Sequence, residues 1–293
     1  MAPTVSVLVP AYNAERTLAA TLASVAAQTF DDLEVVVVDD GSRDATARIA
    51  EQHGARCVRQ ANAGVSVARN TAIAESRGDL LAFLDADDLW EPSKLAEQVA
   101  ALEGRPDAGL VYTAMVRVDA DDVELETVPA REYADPVEAL LLHSSIVTGS
   151  CSGVVARRQA VGDLRFDPRF SQVADWHFWL RLGLRTRFIA IDRPLLRYRT
   201  APGAMSSDIS LLERDTLAAL DAFFAEEPRA AEYAHLRRHA YGNHWMIFAG
   251  SYLRAGQRRD AVRCGLQSLR LTPENVLRPA TLPLRWARRR LAR

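Results

Sequence analysis

The sequence predicts an α/β fold with a mainly parallel sheet flanked by helices, followed by a small helical C-terminal region. In residues 1–105, short apolar runs alternate with segments whose apolar residues recur at helical spacing. From Ser210 onward nearly every segment has helical spacing. Strands and helices that alternate over short connections form parallel βαβ units, so the first pattern predicts the sheet and the second the helical region.

Four short runs predict the strands of the parallel sheet: residues 5–9, 35–38, 56–58 and 80–84. Three of them are almost continuously apolar, which is typical of parallel strands that helices cover on both faces. The segments that follow predict helices over residues 15–28, from Ser42 as a cap, over 65–76 and over 93–102.

The pattern changes after Gly109. Residues 111–118 alternate like a strand, and the acidic stretch 119–126 predicts a loop or turn. Residues 175–184 predict a helix that carries three aromatic side chains, and strand-like pieces in residues 189–198 are interrupted by Pro194.

These patterns predict two regions. Residues 1–205 form the α/β domain, with a regular strand–helix half at 1–105 and a less regular half at 106–205. Residues 206–293 form the helical region, within which 255–273 resembles one half of a tetratricopeptide repeat and predicts a helical hairpin.

Composition points to an ordinary globular protein. The chain has 293 residues, of which 48% are hydrophobic and 25% charged, and its formal net charge of −2 argues against a nucleic-acid partner. Three scattered cysteines show no metal-type spacing, and no apolar stretch approaches the ~20 residues that span a bilayer. Because Met1 leads almost directly into a strand, no secretory signal is predicted, and we expect a cytoplasmic protein.

The C-terminal end is strongly basic. Between Arg254 and Arg293 there are eleven arginines and two carboxylates, a net charge of +9. This tail predicts a peripheral contact with anionic lipid at the inner face of the membrane. The alternative interpretation is a solvated helix face.

Polar clusters follow three of the predicted strands: residues 10–13, 39–42 and 85–88. In an open parallel sheet, ligands bind beyond the carboxyl ends of the strands, so the fold brings the three clusters to one edge. Asp-Gly-Ser alone is a common turn. Two acidic clusters at strand ends within one α/β half are harder to explain as turns, and they predict a ligand site.

The carboxylates of these clusters indicate a chemistry. An Asp at a strand end can accept the N3–H of a uracil ring and so select a base. Two carboxylates separated by one residue, as in Asp85 and Asp87, suit a hard divalent cation such as Mg²⁺ or Mn²⁺, which also binds substrate phosphates. A diphosphate bound to such a cation is a better leaving group, because its developing charge is neutralised.

Several stretches carry a resemblance to family 2 glycosyltransferases, which have the GT-A fold. They are VSVLVPAYNAERTLAATLASVAAQTF, LEVVVVDDGSRDAT and NAGVSVARNTAIAESRGDLLAFLDADDLWEP, followed by DWHFWLRL and RPLLRYRTAPGAMS. The resemblance covers about two-thirds of the chain. It implies an enzyme that transfers a sugar from a nucleoside diphosphate to a hydroxyl acceptor in cell-surface glycan, polysaccharide or glycoconjugate synthesis, with residues 1–105 as the nucleotide-binding half and residues 106–205 as the acceptor-binding half. The acceptor is a glycan, a lipid-linked molecule or a small molecule. Because Asp40 can accept the N3–H of a pyrimidine base, we expect a UDP or TDP donor. Members of the family use one inverting displacement and a divalent cation.

The resemblance also implies roles for individual residues. On the donor side, Asp40 meets the nucleotide base, Arg69 lies near the diphosphate, and the motif Asp85, Ala86 and Asp87 contacts ribose and metal, with Asp87 the more direct ligand. The loop beneath the nucleoside is formed by Pro10, Ala11, Tyr12 and Asn13.

On the acceptor side, Asp175 matches the general base. We expect Ser150, Trp176 and His177 to contact the acceptor. A helix N-cap is the alternative role for Asp175, and packing in the core is the alternative for Trp176.

The chain departs from the family pattern at two positions. Ala174 precedes Asp175 where the family usually has Glu, and Ala201 stands in the closing segment where His is common.

Other functions fit less well. A non-catalytic protein that binds sugar nucleotides or acts as a scaffold is the main alternative. The presence of all four acidic residues of the predicted site argues against it: Asp40, Asp85, Asp87 and Asp175. A nucleotidyltransferase usually has a Gly-rich basic loop where this chain has PAYN. A Rossmann dehydrogenase is poorly supported, because no GxGxxG follows a strand. His235 and His239 are four residues apart without the Glu of a zinc protease motif.

Overall fold

The apolar runs of the N-terminal half form parallel strands in the order β3-β2-β1-β4. These strands are β1 (Val5–Ala11), β2 (Leu33–Asp39), β3 (Arg56–Arg59) and β4 (Leu80–Phe83). Every residue of β1 and β4 is buried, as expected for strands covered on both faces. The polar clusters after β1, β2 and β4 therefore share one edge.

This computed structural model describes residues 3–143, 146–200 and 208–277. The chain divides into two compact units, one made of residues 1–140 and 145–205 and the other of residues 141–144 and 206–293.

Helices follow the strands of the first half. They are α1 (Leu18–Ala26), α2 (Thr46–Gln52), α3 (Val65–Glu75) and α4 (Lys94–Glu103). Helix α1 begins later than the 15–28 pattern predicts. The N–H groups of Ala14 and Glu15 donate to side chains of the next βα connection, Thr46 Oγ1 at 2.8 Å and Asp44 Oδ2 at 3.1 Å. These long-range bonds draw the first predicted turn into the loop.

The rest of the nine-stranded sheet is mixed. Its strands are β5 (Leu89–Trp90), β6 (Ala108–Val118), β7 (Glu124–Val128), β8 (Val154–Arg157) and β9 (Arg187–Arg199). Strand β8 lies between β4 and β6 and is antiparallel to both, whereas β6 and β9 are parallel. The α/β class is confirmed, but the parallel character is confined to the first four strands and the β6–β9 pair.

Two details of this half differ from the sequence pattern. Residues 119–123 of the acidic stretch form the predicted turn, in which Asp119 Oδ1 accepts the N–H groups of Asp121 and Val123, but residues 124–126 belong to strand β7. Strand β9 continues through Pro194 instead of breaking there. The pairing register with β6 shifts at this proline, which lacks an N–H to donate.

Helix α7 (Ala174–Gly183) is anchored by aromatic side chains. Phe178 stacks on Phe166 with ring centroids 4.1 Å apart, and Trp179 meets Phe83 of β4 edge to face at 5.8 Å. These contacts hold the start of α7 rigidly against the core. Two shorter helices, α5 (Pro136–His143) and α6 (Arg158–Val161), lie in the same part of the chain.

The second unit is helical, as predicted. It contains α8 (Ile209–Glu226), α9 (Arg237–Arg254) and α10 (Arg258–Leu271), with 3₁₀ turns at Pro228–Leu236 and Pro273–Leu277. Helices α9 and α10 form a hairpin around buried Phe248, Tyr252 and Cys264. The hairpin predicted within residues 255–273 is wrong, because that stretch forms the single helix α10, whose partner α9 precedes it. Among the described residues, no helix combines the length and apolarity needed to cross a membrane. Of the basic tail from Arg254 to Arg293, for which a lipid contact is predicted, residues 278–293 lie outside the described residues.

Candidate active site

The loops after β1 and β2 are joined by hydrogen bonds. The Asp40 N–H donates to the Ala11 carbonyl at 2.9 Å, and the Asn13 N–H donates to Ser42 Oγ at 2.9 Å. Asn13 Oδ1 in turn accepts the N–H of Arg43 at 3.0 Å. Asn13 adopts φ 49°, a left-handed conformation that Asn tolerates better than most residues. Pro10 and Ala11 end β1 as buried residues, while Tyr12 is 52% exposed and presents its ring at this edge.

Asp40 is buried and organises the entry to α3. Its carboxylate accepts Gln60 Nε2 at 2.7 Å and the N–H groups of Ala63 and Gly64, both at 2.9 Å. Each carboxylate oxygen has two acceptor positions, and Oδ2 uses one of them for Gly64. The side chain predicted to meet the base therefore also ties β2 to the helix that carries Arg69.

Arg69 forms a short ion pair with Asp85. Arg69 Nη2 lies 2.7 Å from Asp85 Oδ1, and the guanidinium lies 5.4 Å from the Phe166 ring centroid. Burial lowers the pKa of Arg69, but the charges of the Asp85 and Asp175 carboxylates and the hydrogen bond to Asp85 outweigh it, so the net shift is upward. Arg69 Nε is buried and has no partner among the described residues. The arginine is thus a fixed positive charge between two predicted site carboxylates.

The Asp-Ala-Asp-Asp turn after β4 is held at several points. The Asp88 N–H donates to the Asp85 carbonyl at 3.2 Å, and Thr21 Oγ1 donates to the Ala86 carbonyl at 3.0 Å. Asp88 is fully buried and accepts the N–H of Arg199 at 2.9 Å. Asp87 is the most exposed residue of this turn, and the Asp85 side chain is 24% exposed. The turn therefore presents Asp87 outward and fastens the end of β9 through Asp88.

The pair Asp85 and Asp87 suits a divalent cation. Desolvation and the charge of Asp85 raise the pKa of Asp87 to about 6. The second of these causes is repulsion between the two carboxylates, which a bound cation would relieve. The described residues contain no group of three or more His, Cys, Asp or Glu side chains that could hold a metal by themselves. Two carboxylates are nevertheless the protein ligand set that Mg²⁺ often uses together with substrate phosphates.

Asp175 is the second residue of α7, and Ser150 holds it in place. Ser150 Oγ donates to Asp175 Oδ2 at 2.7 Å, and Asp175 Oδ1 accepts the N–H of the next residue, Trp176, at 2.8 Å. The N-cap position is occupied by Val173, so Asp175 is not the cap residue. A carboxylate in the first turn is still stabilised by the helix dipole.

The sequence model of the family described as Glycosyl transferase family 2 matches residues 6–164, which include both acidic clusters and Arg69. The chain belongs to this family. The amylovoran biosynthesis glycosyltransferase AmsB of Erwinia amylovora is 30% identical over 210 residues, which cover 66% of this chain and 68% of AmsB.

Solved structures share the fold of this family 2 chain. S. aureus TarS 1–349, solved in complex with UDP-GlcNAc, matches with a TM-score of 0.70 and 20% identity over 93% of this chain and 82% of TarS. The mannosyltransferase PcManGT of Pyrobaculum calidifontis, solved with GDP-Man and Mn²⁺, matches with a TM-score of 0.59 and 19% identity, over 97% of this chain and 83% of PcManGT. These matches confirm the GT-A type of fold.

Two of the residues assigned to the acceptor are packed in the core of this family 2 chain. Trp176 is 8% exposed and its Nε1 donates to the Leu140 carbonyl at 3.2 Å. His177 is 3% exposed and meets the Phe170 ring edge to face at 4.8 Å. Their placement favours packing over acceptor contact, because neither ring presents a face to solvent.

The segment 148–153 connects the two halves of the site, and Ser150 is its only residue that the sequence assigned to the site. Ser152 Oγ accepts the N–H of Asp85 at 3.0 Å, and the Ser152 carbonyl accepts Trp90 Nε1 at 2.8 Å. Ser150, two residues away, reaches Asp175. The Gly- and Ser-rich stretch TGSCSG was the available signal for an irregular loop of this kind.

Proposed function

We propose that this chain is an inverting, cation-dependent transferase that moves a sugar from a UDP or TDP donor to a hydroxyl acceptor. The observation that carries the proposal is the gathering of Arg69, Asp85, Asp87 and Asp175 around one end of the sheet, on opposite sides of the segment 148–153. One end of this group suits a diphosphate and its cation, and the other suits an acceptor hydroxyl.

The donor base is assigned to the loops around Asp40. The remaining acceptor position on Oδ2 suits the N3–H of uracil or thymine, and the exposed ring of Tyr12 lies on the adjoining loop. TarS, which shares the fold, was solved with UDP-GlcNAc, whereas PcManGT was solved with GDP-Man. Titration calorimetry with UDP, TDP and GDP tests the assignment, and tightest binding of GDP would contradict it.

The cation is assigned to Asp87 and Asp85. When bound there, Mg²⁺ or Mn²⁺ would offset the charge that develops on the leaving diphosphate. Arg69 supplies a second, permanent positive charge from within the protein. Activity that survives exhaustive chelation would remove the cation from the mechanism.

The acceptor proton is assigned to Asp175. The acceptor oxygen attacks the anomeric carbon while the bond from that carbon to the diphosphate oxygen breaks, and Asp175 takes the hydroxyl proton. Ser150 orients the carboxylate by its hydrogen bond to Oδ2. One displacement inverts the anomeric configuration. Incubation with a panel of sugar nucleotides and acceptors, followed by NMR of the product, tests the transfer and its stereochemistry together. Retained configuration would exclude the single displacement.

We assign the reaction to cell-surface glycan synthesis on the cytoplasmic side of the membrane. The name of AmsB refers to amylovoran biosynthesis, which supports a glycan acceptor. Residues 284–293 contain five arginines beside Leu284, Trp286 and Leu291, a composition that suits an interfacial anchor. Deletion of residues 284–293 is expected to weaken co-sedimentation with anionic vesicles, and unchanged co-sedimentation would refute this contact. A binding protein without catalysis remains the alternative, and it predicts donor binding without product in the transfer assay.

A further inference from the structure

Exposed apolar side chains are concentrated on the α9–α10 hairpin. Leu253 at the end of α9 is 62% exposed, and Val262 and Leu266 on α10 are 62% and 54% exposed. They are three of the six large apolar side chains found exposed in the described part of the chain, and they fall within 14 residues. Such a concentration on a small helical unit marks an interaction surface.

Helix α10 is apolar on two faces. Cys264 and Ser268 are buried on one face, in the packing against α9. Val262 and Leu266 are four residues apart, so they stand one above the other on a different face, about one turn along the helix. The second face is therefore not required for packing within the unit.

Arginines flank the exposed apolar residues. Arg258 and Arg259 lie one turn before Val262, and Arg270 lies one turn after Leu266. All three are exposed, and no described carboxylate lies within ion-pair distance of them. Arg263 differs, because it is engaged by Glu213 and Asp260. Three cations without internal partners thus surround an apolar strip.

We propose that this surface docks on an anionic lipid membrane. We call it the α10 face and define it as Val262 and Leu266 with Arg258, Arg259 and Arg270. A helix of 14 residues is about 21 Å long, enough to lie in the plane of the headgroups with its apolar strip inserted and its arginines on lipid phosphates. The α10 face lies within the basic tail from Arg254 to Arg293 and assigns the predicted lipid contact to a folded helix of that tail, separate from residues 284–293. Its assignment does not depend on the proposed reaction.

Charge decides between a membrane and a second copy of the chain. If two α10 faces met across a symmetric interface, the unpaired arginines of one copy would oppose those of the other, and like charges repel. An anionic bilayer instead provides phosphates for the arginines and hydrocarbon for Val262 and Leu266. The α10 face is therefore more complementary to an anionic bilayer than to the α10 face of a second copy.

The test is co-sedimentation of the full chain with vesicles of phosphatidylcholine alone or with added phosphatidylglycerol. Binding is expected only when phosphatidylglycerol is present. Each arginine near an anionic surface is worth about a fivefold change in affinity, so Arg258→Gln/Arg259→Gln is expected to lose roughly 25-fold. Val262→Ser/Leu266→Ser keeps the charge, and roughly tenfold weaker binding is expected from the lost apolar insertion. Val123→Ser/Leu125→Ser, exposed residues of the first unit, is the matched control and should bind as the parent does.

A second measurement does not rely on weakened binding. A polarity-sensitive fluorophore on Leu266→Cys, in a Cys57→Ser background, is expected to shift to shorter wavelength with phosphatidylglycerol vesicles. The proposal is overturned if the label does not respond, if both α10 double variants bind as the parent does, or if deletion of residues 284–293 alone removes all binding. It is also overturned if the chain self-associates in sedimentation velocity and Val262→Ser/Leu266→Ser abolishes that association.

Discussion

At the scale of single residues, Asp175 can be tested separately as a base and as a helix-terminal charge. Asp175→Asn keeps the shape of the side chain and its bond to Ser150 but removes the proton acceptor. We expect a rate loss of about 10²–10⁴-fold with nearly unchanged donor binding. Loss of the dipole interaction costs only about 0.3–1 kcal/mol of stability. Transfer kinetics, calorimetry with UDP and thermal melting separate the two roles. A variant that melts earlier yet keeps its turnover would leave the base unidentified.

Lys94 is the single lysine of the chain and is fully buried. Its Nζ donates to Gln98 Oε1 at 2.7 Å and lies 4.0 Å from the Trp90 ring centroid. Burial lowers the pKa of Lys94 well below its ordinary value. Below about pH 10.5 the Lys94 amine therefore binds a proton more readily in the unfolded chain than in the folded one. The free energy of unfolding consequently falls as the pH falls below about 10.5.

Replacement of Lys94 should remove that pH dependence. We expect the free energy of unfolding of the parent to rise with pH between 7 and 10 relative to that of Lys94→Met. Urea unfolding of both proteins across this range measures the difference. Parallel profiles would show that the amine is protonated, or equally hydrated, in both states.

At the scale of elements, the segment 148–153 depends on its glycines. Gly149 has φ 70°, and a Cβ there would lie 2.1 Å from Leu196 Cδ2. Gly149→Ala is therefore expected to cost about 1 kcal/mol for the left-handed backbone and more for the clash, and to reduce transfer by displacing Ser150. Gly54→Ala is the control, because Gly54 has φ 73° with no atom within 4 Å of the added Cβ. Equal stability and activity in the two variants would mean that the segment tolerates movement.

Helix α9 contains a buried histidine that resists protonation. Burial lowers the pKa of His244 to about 4, although its ring Nδ1 contacts the Ala240 carbonyl at 2.8 Å. The unfolded chain takes up this proton near pH 6.5, so the stability that His244 contributes is complete above that pH and is lost as the pH falls toward 4. The free energy of unfolding of the parent should fall over this pH window more than that of His244→Gln. The same slope for both proteins would contradict the assignment.

At the scale of the whole molecule, donor binding should raise stability by linkage. UDP with Mn²⁺ at 100 times its dissociation constant stabilises a folded protein by about 2.7 kcal/mol if the unfolded chain does not bind it. We expect a corresponding rise in melting temperature for the parent, a much smaller rise for Asp87→Asn, and none after chelation. A rise that Mn²⁺ does not enhance would argue that the nucleotide binds without the cation.

The parallel half of the sheet and its ligand edge were predictable from the sequence. Continuous apolar runs define buried parallel strands locally, and polar residues at their carboxyl ends need only chain order to be assigned to one edge. The positions of Asp40, Arg69, Asp85 and Asp87 follow from that logic together with the family resemblance. The helices of the C-terminal region were predictable for the same reason, since the spacing of apolar residues along a single helix predicts that helix.

Only the tertiary structure decided how distant segments complete the site. Asp85 and Ser152 are 67 residues apart, and Ser150 and Asp175 are 25 apart, so no local pattern links them. The four-residue strand β8 is too short to predict, yet it makes the sheet mixed and positions the segment 148–153. Burial of Trp176 also depended on the packing of α7, because helical spacing alone allows an aromatic ring to face either core or solvent. Local periodicity determined the elements, and long-range hydrogen bonds and packing determined which side chains meet.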